Sequence, residues 1–379
     1  MGEKGGPKRI SPQKKEYQFR KECLAMYDVL IVGGGPGGAT LARLIGGKMK
    51  VLLIEGRDLL NPGEGQEKCC GGLLNSDAQQ MLARFGLGVP EEVLAGPQLF
   101  TVRTMDLTTG LERYYPRNYI NVDRKAFDQW LISLVPEQVE LRFKTSFRGL
   151  EKAAEGWHVR LCSGGKSETV QAKFVVGADG AFSRVRSALR KKGPRPQKYI
   201  SIQEWFQVEK ALPYYSAIFD PEITDFYSWT IPKRRNLLVG TAIPAGADAT
   251  AKFDLLKDKL EKIGFDLSKS VKKRGTHLLR PANIFQIDVG KEDVALIGEA
   301  AGWISPSSAE GISYAFKSAL ALARALEFRT SGIVRHYRNI SMGLRLNILG
   351  KNLKSPAMYW PGLRRLAMSS GLLSIDLIQ

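Results

Sequence analysis

Nowhere in this sequence do about eighteen apolar residues run together, so no transmembrane helix is expected. Histidine and cysteine are scarce. His158, His277 and His336 lie far apart, and Cys23, Cys69, Cys70 and Cys162 form no CxxC pair. That spacing excludes a zinc site and a disulfide framework, and no metal is assigned. Reduced thiols fit a cytoplasmic compartment. The basic amino terminus is followed by no apolar h-region and no small-residue cleavage site, so no signal peptide is read there. Gly6 stands where a myristoylation motif wants Ser or Thr. Acidic residues are also in deficit: 38 Asp and Glu face 56 Lys and Arg, a formal charge of +18. Such a balance attracts phosphate, nucleic acid or an anionic membrane surface. No nucleic-acid motif accompanies it, and nucleic acid is not expected as a partner.

The chain is long enough for roughly two or three structural regions. Residues 1–25 are polar, rich in Gly and Lys and without period, and read as a disordered basic extension. Met26 directly precedes the first strand and is a candidate start residue. The run YDVLIV from Tyr27 predicts a buried parallel strand, and a helix is expected from about Gly37 to Leu44, stopped by Gly46 and Gly47. VLLIE at Val51–Glu55 is a second buried strand. An amphipathic helix is expected over 121–134 with Asp123 as N-cap. VELRF and WHVRL alternate as half-exposed strands do, and SGGK at Ser163–Lys166 marks a hairpin. FVVGADG and VALIGEAAGW each read as a buried strand running into a glycine turn, with strand-like runs such as YISIQEWF and NLLVGTAI between them.

Gly33, Gly35 and Gly38 form GxGxxG between a predicted strand and helix, and Glu55 ends the next strand. Gly33 permits the tight turn, Gly35 lets backbone approach a pyrophosphate, and Gly38 lets helix and strand pack closely. The helix opening at Pro36 and Gly37 turns free N–H groups and its positive dipole end toward the phosphates. Glu55 accepts from a ribose 2′-hydroxyl and disfavours a 2′-phosphate. This is a dinucleotide site, and the motif alone does not separate FAD from NAD.

Further segments carry a resemblance. VGADGAFSRVR (Val176–Arg186), with Asp179 and Gly180, resembles the DG motif of the p-hydroxybenzoate hydroxylase-like flavoproteins. ALIGEAAGWISP (Ala295–Pro306), with Gly298, Glu299 and Gly302, resembles their GD motif, with Glu299 in place of the usual Asp. VDRKAFDQWL resembles the stretch whose Arg reaches the cofactor, here Arg124. Order and spacing match over nearly the whole chain from Met26. The resemblance implies FAD as cofactor and an α/β fold: a Rossmann-type FAD-binding domain with an inserted antiparallel-sheet substrate domain and a C-terminal helical segment. The expected boundaries are 26–78, 119–196 and 281–332 for the FAD domain, 79–118 and 197–280 for the substrate domain, and 333–379 for the basic helical segment.

Three details resemble the geranylgeranyl reductase branch. KCCGGLL (Lys68–Leu74) matches K-x-C-G-G-L and aligns Cys70 with the family cysteine. YSWTIPKRRNLLVGTA resembles the substrate motif YxWxFP…GxG: Tyr227, Trp229 and Pro232 match, Ile231 replaces Phe, and Ala242 replaces the second Gly. AEGISYA (Ala309–Ala315), with Gly311 and Ile312, resembles the Gly-Glu-Gly-Ile stretch near the isoalloxazine ring. The resemblance implies saturation of C=C bonds in an isoprenoid lipid by hydride from reduced flavin, with NAD(P)H or a ferredoxin as electron donor. Cys70 is then expected near the reacting carbon as a neutral, buried thiol able to donate, or as a small packing residue in a glycine loop. Tyr227 and Trp229, two apart on a strand, face one side and form either pocket walls or a core pair. The same scaffold serves two other functions. One is a monooxygenase or halogenase acting on an aromatic small molecule: Ile231 and Pro232 match Trp-x-Trp-x-Ile-Pro, while Tyr227 departs from it. The other is a non-catalytic polyprenyl-binding flavoprotein.

After Glu327 the only acid is Asp376, against Arg329, Arg335, Arg338, Arg345, Lys351, Lys354, Arg364 and Arg365. Ile333, Tyr337, Ile340, Leu344 and Ile348 recur at helical spacing, with Arg335, Arg338 and Arg345 opposite them. Such a helix lies on an anionic bilayer or packs its apolar face on the core. Lys351–Arg365 reads as loop-like. The expectation is a cytoplasmic protein, peripheral on the membrane.

Overall fold

The computed structural model describes residues 26–61, 63, 67–189, 193–328 and 331–378; the extension expected over 1–25 lies outside them. The apolar run forms β1 (Met26–Val32), Pro36 opens α1 (Pro36–Ile45), and β2 (Val51–Ile54) is buried at every position. β3 (Leu73–Leu74) precedes α2 (Ser76–Arg84), whose N-cap Asn75 accepts from the N–H of Ala78. The long pair β4 (Leu99–Asp106) and β5 (Leu111–Asn121) follows. α3 (Arg124–Ser133) starts where expected, because the Asp123 carboxylate accepts from the N–H groups of Lys125 and Ala126. β6 (Glu140–Arg142), β7 (Thr145–Lys152), β8 (Trp157–Ser163) and β9 (Lys166–Gly177) come next. α4 (Arg184–Leu189) leads to β10 (Gln197–Gln207), β11 (Tyr215–Phe219), β12 (Ser228–Lys233) and β13 (Asn236–Pro244). α5 (Ala249–Lys262), β14 (Ser270–Arg280), β15 (Gly290–Lys291) and β16 (Val294–Leu296) precede α6 (Gly298–Ala301). The chain then turns helical: α7 (Ile312–Phe328), α8 (Ile333–Ile340), α9 (Met342–Tyr359) and α10 (Pro361–Ser369).

Among the described residues the strands form two eight-stranded sheets. The first runs β15-β16-β9-β1-β2-β6, with β7 and β8 continuing from β9. β1 pairs in parallel with β2 and β9, β16 with β9, and β6 with β2. A parallel sheet covered on both faces needs consecutive apolar residues. Positions 29–32, 51–54, 174–176 and 294–296 supply them, and Phe316, Ala319 and Leu322 of α7 share their core. The second sheet runs β14-β10-β13-β12-β11-β4-β5-β3. It is antiparallel apart from the parallel β4–β11 pair, which makes it mixed. Side chains alternate across it. On β13, Leu238 and Ala242 join an aromatic core with Tyr199, Phe226 and Trp229, while Leu237 and Val239 meet Phe253, Leu256 and Leu260 of α5.

Several expectations are corrected. Met81, Leu82 and Val93, in the segment assigned to the substrate region, are buried in the nucleotide-side core, because the apolar face of α2 meets α7 and the 3-10 turn Glu91–Val93 packs on α3. The helical segment after 333 breaks at Ser341, and Val334, Tyr337 and Ile348 are buried in the protein's own core. Arg345, expected in solvent, turns inward and donates to the carbonyls of Ile284 and Ile287 at 2.8 and 3.1 Å. Lys351–Arg365, expected loop-like, is helical on both sides of Trp360, and Arg364 is buried against Asp106 at 2.7 Å. Among the described residues no helix is long and apolar enough to cross a membrane.

Candidate active site

A cleft of about 560 Å³ is bounded by residues of both sheets. At its nucleotide end the GxGxxG turn does what its spacing demands. Gly33 has φ +109°, and a Cβ on Gly38 would stand 1.9 Å from the Gly33 carbonyl oxygen. Gly38 therefore packs behind the turn, whereas Gly33, Gly35, Pro36 and Gly37 line the cleft. A Cβ built on Gly35 meets nothing within 4 Å, so the backbone there borders open space. No side chain caps α1, whose N-terminus is left for an anion. The Glu55 carboxylate accepts from the N–H groups of Gly34 at 2.9 Å and Arg57 at 3.0 Å. Burial raises this carboxyl, but the Arg57 charge and hydrogen bonds outweigh burial and leave it below its ordinary value. It stays an ionised acceptor.

Asp179, Gly180, Gly298 and Glu299 line the same cleft. Asp179 Oδ2 accepts from the N–H groups of Arg184 at 2.7 Å and Val185 at 3.3 Å, while Oδ1 is buried with no hydrogen-bond partner. An orphaned buried acceptor is costly unless a ligand donates to it. Glu299 Oε1 accepts from the Leu279 N–H at 3.0 Å, and its Oε2 lies 3.8 Å from Lys68 Nζ. Gly311 and Ile312 line the cleft at the start of α7. Gly302 does not. It ends α6 at φ +91° and faces Gln286, Ile287 and Pro196, so its role is to turn the chain. The open phosphate turn, the ionised Glu55 and the unpaired Asp179 oxygen fit FAD.

Beyond the nucleotide end, Tyr119, Tyr215, Tyr227, Trp229, Ile231 and Ile304 give the cleft an apolar, aromatic wall. Tyr227 and Trp229 lie 5.4 Å apart between ring centroids, and the Tyr227 hydroxyl donates to the Ser308 carbonyl at 2.7 Å. A Cβ on Gly240 would stand 2.4 Å from Trp229 Nε1, so a bare glycine on β13 is what lets the indole lie there. Pro232, assigned to the pocket with them, is not in the lining. Its neighbours alternate faces, and its carbonyl is taken by Asn121 Nδ2 at 2.7 Å.

Cys69 and Cys70 both line the cleft, yet their surroundings drive them apart. Burial pushes the Cys69 thiol up to about 12. Burial also raises Cys70, but the Arg124 guanidinium, the Gly72 N–H at 3.5 Å and the Lys68 charge outweigh it, and the thiol falls below its ordinary value. The sequence suggests a neutral buried thiol; the Arg124 guanidinium beside it makes this one more acidic than an ordinary thiol. Arg124 lines the cleft and bonds to Cys70 as well as to Asp128, at 2.9 Å from both Nε and Nη2.

Two groups were not read from the sequence. Lys233 Nζ donates to Asn121 Oδ1 at 2.5 Å, Val122 O at 2.9 Å and Gly72 O at 3.3 Å. Burial pulls it down to about 7, while three acceptors employ every N–H of the ammonium form. It ties β12 to the loop carrying Cys70, and its signal was its place directly after Pro232. Glu310 lines the cleft, accepting from Asn75 Nδ2 at 2.6 Å and the Tyr119 hydroxyl at 3.5 Å. Burial raises its carboxyl despite Lys351, Ser308 and Asn75, which pull the other way. Its signal was the Glu of the Gly-Glu-Gly-Ile stretch.

Residues 26–333 match the family described as FAD binding domain. The chain is 41% identical to protein CbrA of Escherichia coli O6:H1 over 349 residues, covering 92% of this chain and 94% of that one. Its fold is similar to that of a geranylgeranyl bacteriochlorophyll reductase-like protein from Thermoplasma acidophilum, with TM-score 0.76 and 20% identity over 91% of this chain and 99% of the other. It is also similar to PqsL, a probable FAD-dependent monooxygenase from Pseudomonas aeruginosa, with TM-score 0.67 and 18% identity over 92% and 100% of the two chains. The sequence match carries the assignment that the two fold likenesses illustrate: this chain belongs to the FAD binding domain family of FAD-dependent oxidoreductases, and its cofactor is FAD.

Proposed function

We propose that this oxidoreductase saturates C=C bonds in an isoprenoid lipid chain. The observation that carries the reading is the aromatic, apolar cleft end, in which Tyr227 and Trp229 stand beside Ile231 and the Cys70 loop. A hydrocarbon chain offers nothing to hydrogen-bond, so flat apolar walls are what would hold it. The likeness of the Lys68–Leu74 and Tyr227–Ala242 segments to the geranylgeranyl reductase branch supports the same reading.

Reduced FAD, when bound, supplies the hydride. Adding H₂ across the bond then needs one proton on the other carbon. Glu310 holds it: burial keeps its carboxyl protonated to higher pH than a free one, and Asn75 fixes its orientation. Cys70 faces the substrate end with a thiol that, despite burial, the Arg124 guanidinium lowers below its ordinary value, and its thiolate fraction stabilises positive charge that develops on the alkene as the proton arrives. Arg124 and Lys233 hold that loop in place, and Trp229 excludes water. NAD(P)H or a ferredoxin delivers the electrons.

The match of Ile231 and Pro232 to the halogenase version of the motif supports a second reading, oxygen-dependent chemistry on an aromatic substrate. Oxygen separates the two. Protein reduced under anaerobic conditions is mixed with geranylgeraniol and its flavin absorbance followed. Reoxidation without O₂, with a product heavier by one H₂ per reduced bond, is expected. Reoxidation only on admitting O₂ overturns the reductase reading.

A further inference from the structure

The apolar stripe of α8 and early α9 is spent on the protein's own core, but α9 carries a second one. Met342, Leu346, Leu349 and Leu353 recur at spacings of 4, 3 and 4, which is a single helical face, and Trp360 follows in extended backbone just past the end of α9. They are 48%, 60%, 38%, 74% and 62% exposed. Leu363 and Leu366 of α10 continue the patch at 42% and 69%, and Leu372 and Leu373 are 72% exposed beyond it. One flank of this stripe is basic. Lys354 shares a helical side with Gly343 and Asn347, which border a groove holding Arg84, Lys317 and Arg324 over Leu320 and Leu344. Lys354 and Arg365 are exposed, and Arg84, Arg324, Lys354 and Arg365 form no ion pair among the described residues. Across 331–378 the only acid is Asp376.

We propose that this face of α9 and α10 docks on an anionic lipid bilayer, with the leucine stripe in the acyl boundary and the basic flank at the headgroups. An apolar ridge beside unpaired cations is the chemistry of a helix lying in the interface plane. A second copy of the chain is the poorer occupant, because two-fold contact between two stripes brings like-charged flanks together. The docking also orients the cleft. Tyr359, the last residue of α9, donates to the Ser307 carbonyl at 2.8 Å and packs on Phe226 and Phe219, in the aromatic core that includes Tyr227 and Trp229. The bilayer would thus lie near the apolar end of the cleft. The surface does not depend on which substrate is reduced.

The test uses the full chain with FAD bound and vesicles free of isoprenoid, so its failure leaves the reductase reading standing. Phosphatidylcholine vesicles with and without phosphatidylglycerol are sedimented with the protein. Pelleting with the anionic vesicles, and much less with the neutral ones, is expected. Lys354→Gln/Arg365→Gln should weaken it about thirtyfold. Leu346→Ser/Leu353→Ser should abolish it, with melting temperature and flavin spectrum kept, since both residues are exposed. No binding to anionic vesicles, or equal binding to neutral ones, overturns the proposal. So does a stable dimer in analytical ultracentrifugation that the two leucine substitutions dissociate without any vesicle binding.

Discussion

Arg124→Met tests whether Cys70 is held as a thiolate. The substitution keeps much of the apolar stem and removes the guanidinium that bonds to Cys70 and Asp128. Asp128 is not stranded, because Arg57 Nη1 remains 3.6 Å from its Oδ2. A hydrogen bond to a charged group contributes about 1.5–3 kcal/mol. At about 1.36 kcal/mol per tenfold, its loss lowers the thiolate-to-thiol ratio by roughly 10- to 150-fold. Alkylation by iodoacetamide reads that ratio directly, since only the thiolate attacks. The holoprotein is pulse-labelled from about pH 5 to pH 9, and the Cys70 and Cys69 peptides are quantified by mass spectrometry. Wild-type Cys70 should label at lower pH than an ordinary thiol. In the variant its profile should move to higher pH, with labelling slower by roughly that factor wherever both proteins are mostly protonated. Cys69, pushed up to about 12, serves as the silent control in both proteins. Coincident Cys70 profiles would refute the argument and return the residue to a packing role.

Gly35→Val should fold normally, since its Cβ meets nothing within 4 Å, yet the purified protein should be colourless because the side chain occupies the phosphate turn; a full complement of FAD would contradict the site. Glu310→Gln should slow anaerobic flavin reoxidation by lipid. The raised carboxyl also fixes a sign: wild-type rate should fall as pH climbs through it, and the variant should lack that limb, so an unchanged pH profile would remove Glu310 as the donor. Arg364→Met strands Asp106 in the core and should cost about 3–5 kcal/mol by chemical denaturation; adding Asp106→Asn should restore part of it, and simple additivity of the two losses would argue against the pair.

The nucleotide end of the candidate site was legible because each of its parts is a local backbone requirement. Gly33 and Gly38 are dictated by contacts within one strand–turn–helix, and Asp123 caps α3 through amides two and three residues on. A motif of this kind is its own structural context. Lys233 and Glu310 are different. Lys233 acquires its meaning from carbonyls of Gly72 and Val122, which reach it only when β12 and β5 are brought into one sheet through β11 and β4. Glu310 is raised by burial that depends on α2, β5 and α9 converging on it. Gly302 differs in the opposite direction: the motif implies a cofactor contact, whereas the left-handed conformation of this glycine serves the exit from α6 and it does not line the cleft.

The carboxy-terminal helices show why periodicity cannot choose a partner. From Ile333 to Trp360 the sequence carries two apolar stripes of the same 3.6-residue period, one through Tyr337 and Ile348, the other through Leu346 and Leu353. Burying either stripe would remove an apolar helical face from water. The fold selects the first, because the Tyr337 hydroxyl donates to the Leu296 carbonyl and accepts from Trp303 Nε1, a buried network that no leucine on the other stripe offers. Arg345 joins that side through the carbonyls of Ile284 and Ile287, so a residue that looked like part of a basic surface became a tie into the core. What remains outside is decided by elimination: a leucine face with Lys354 at its edge, which the protein's own packing leaves uncovered.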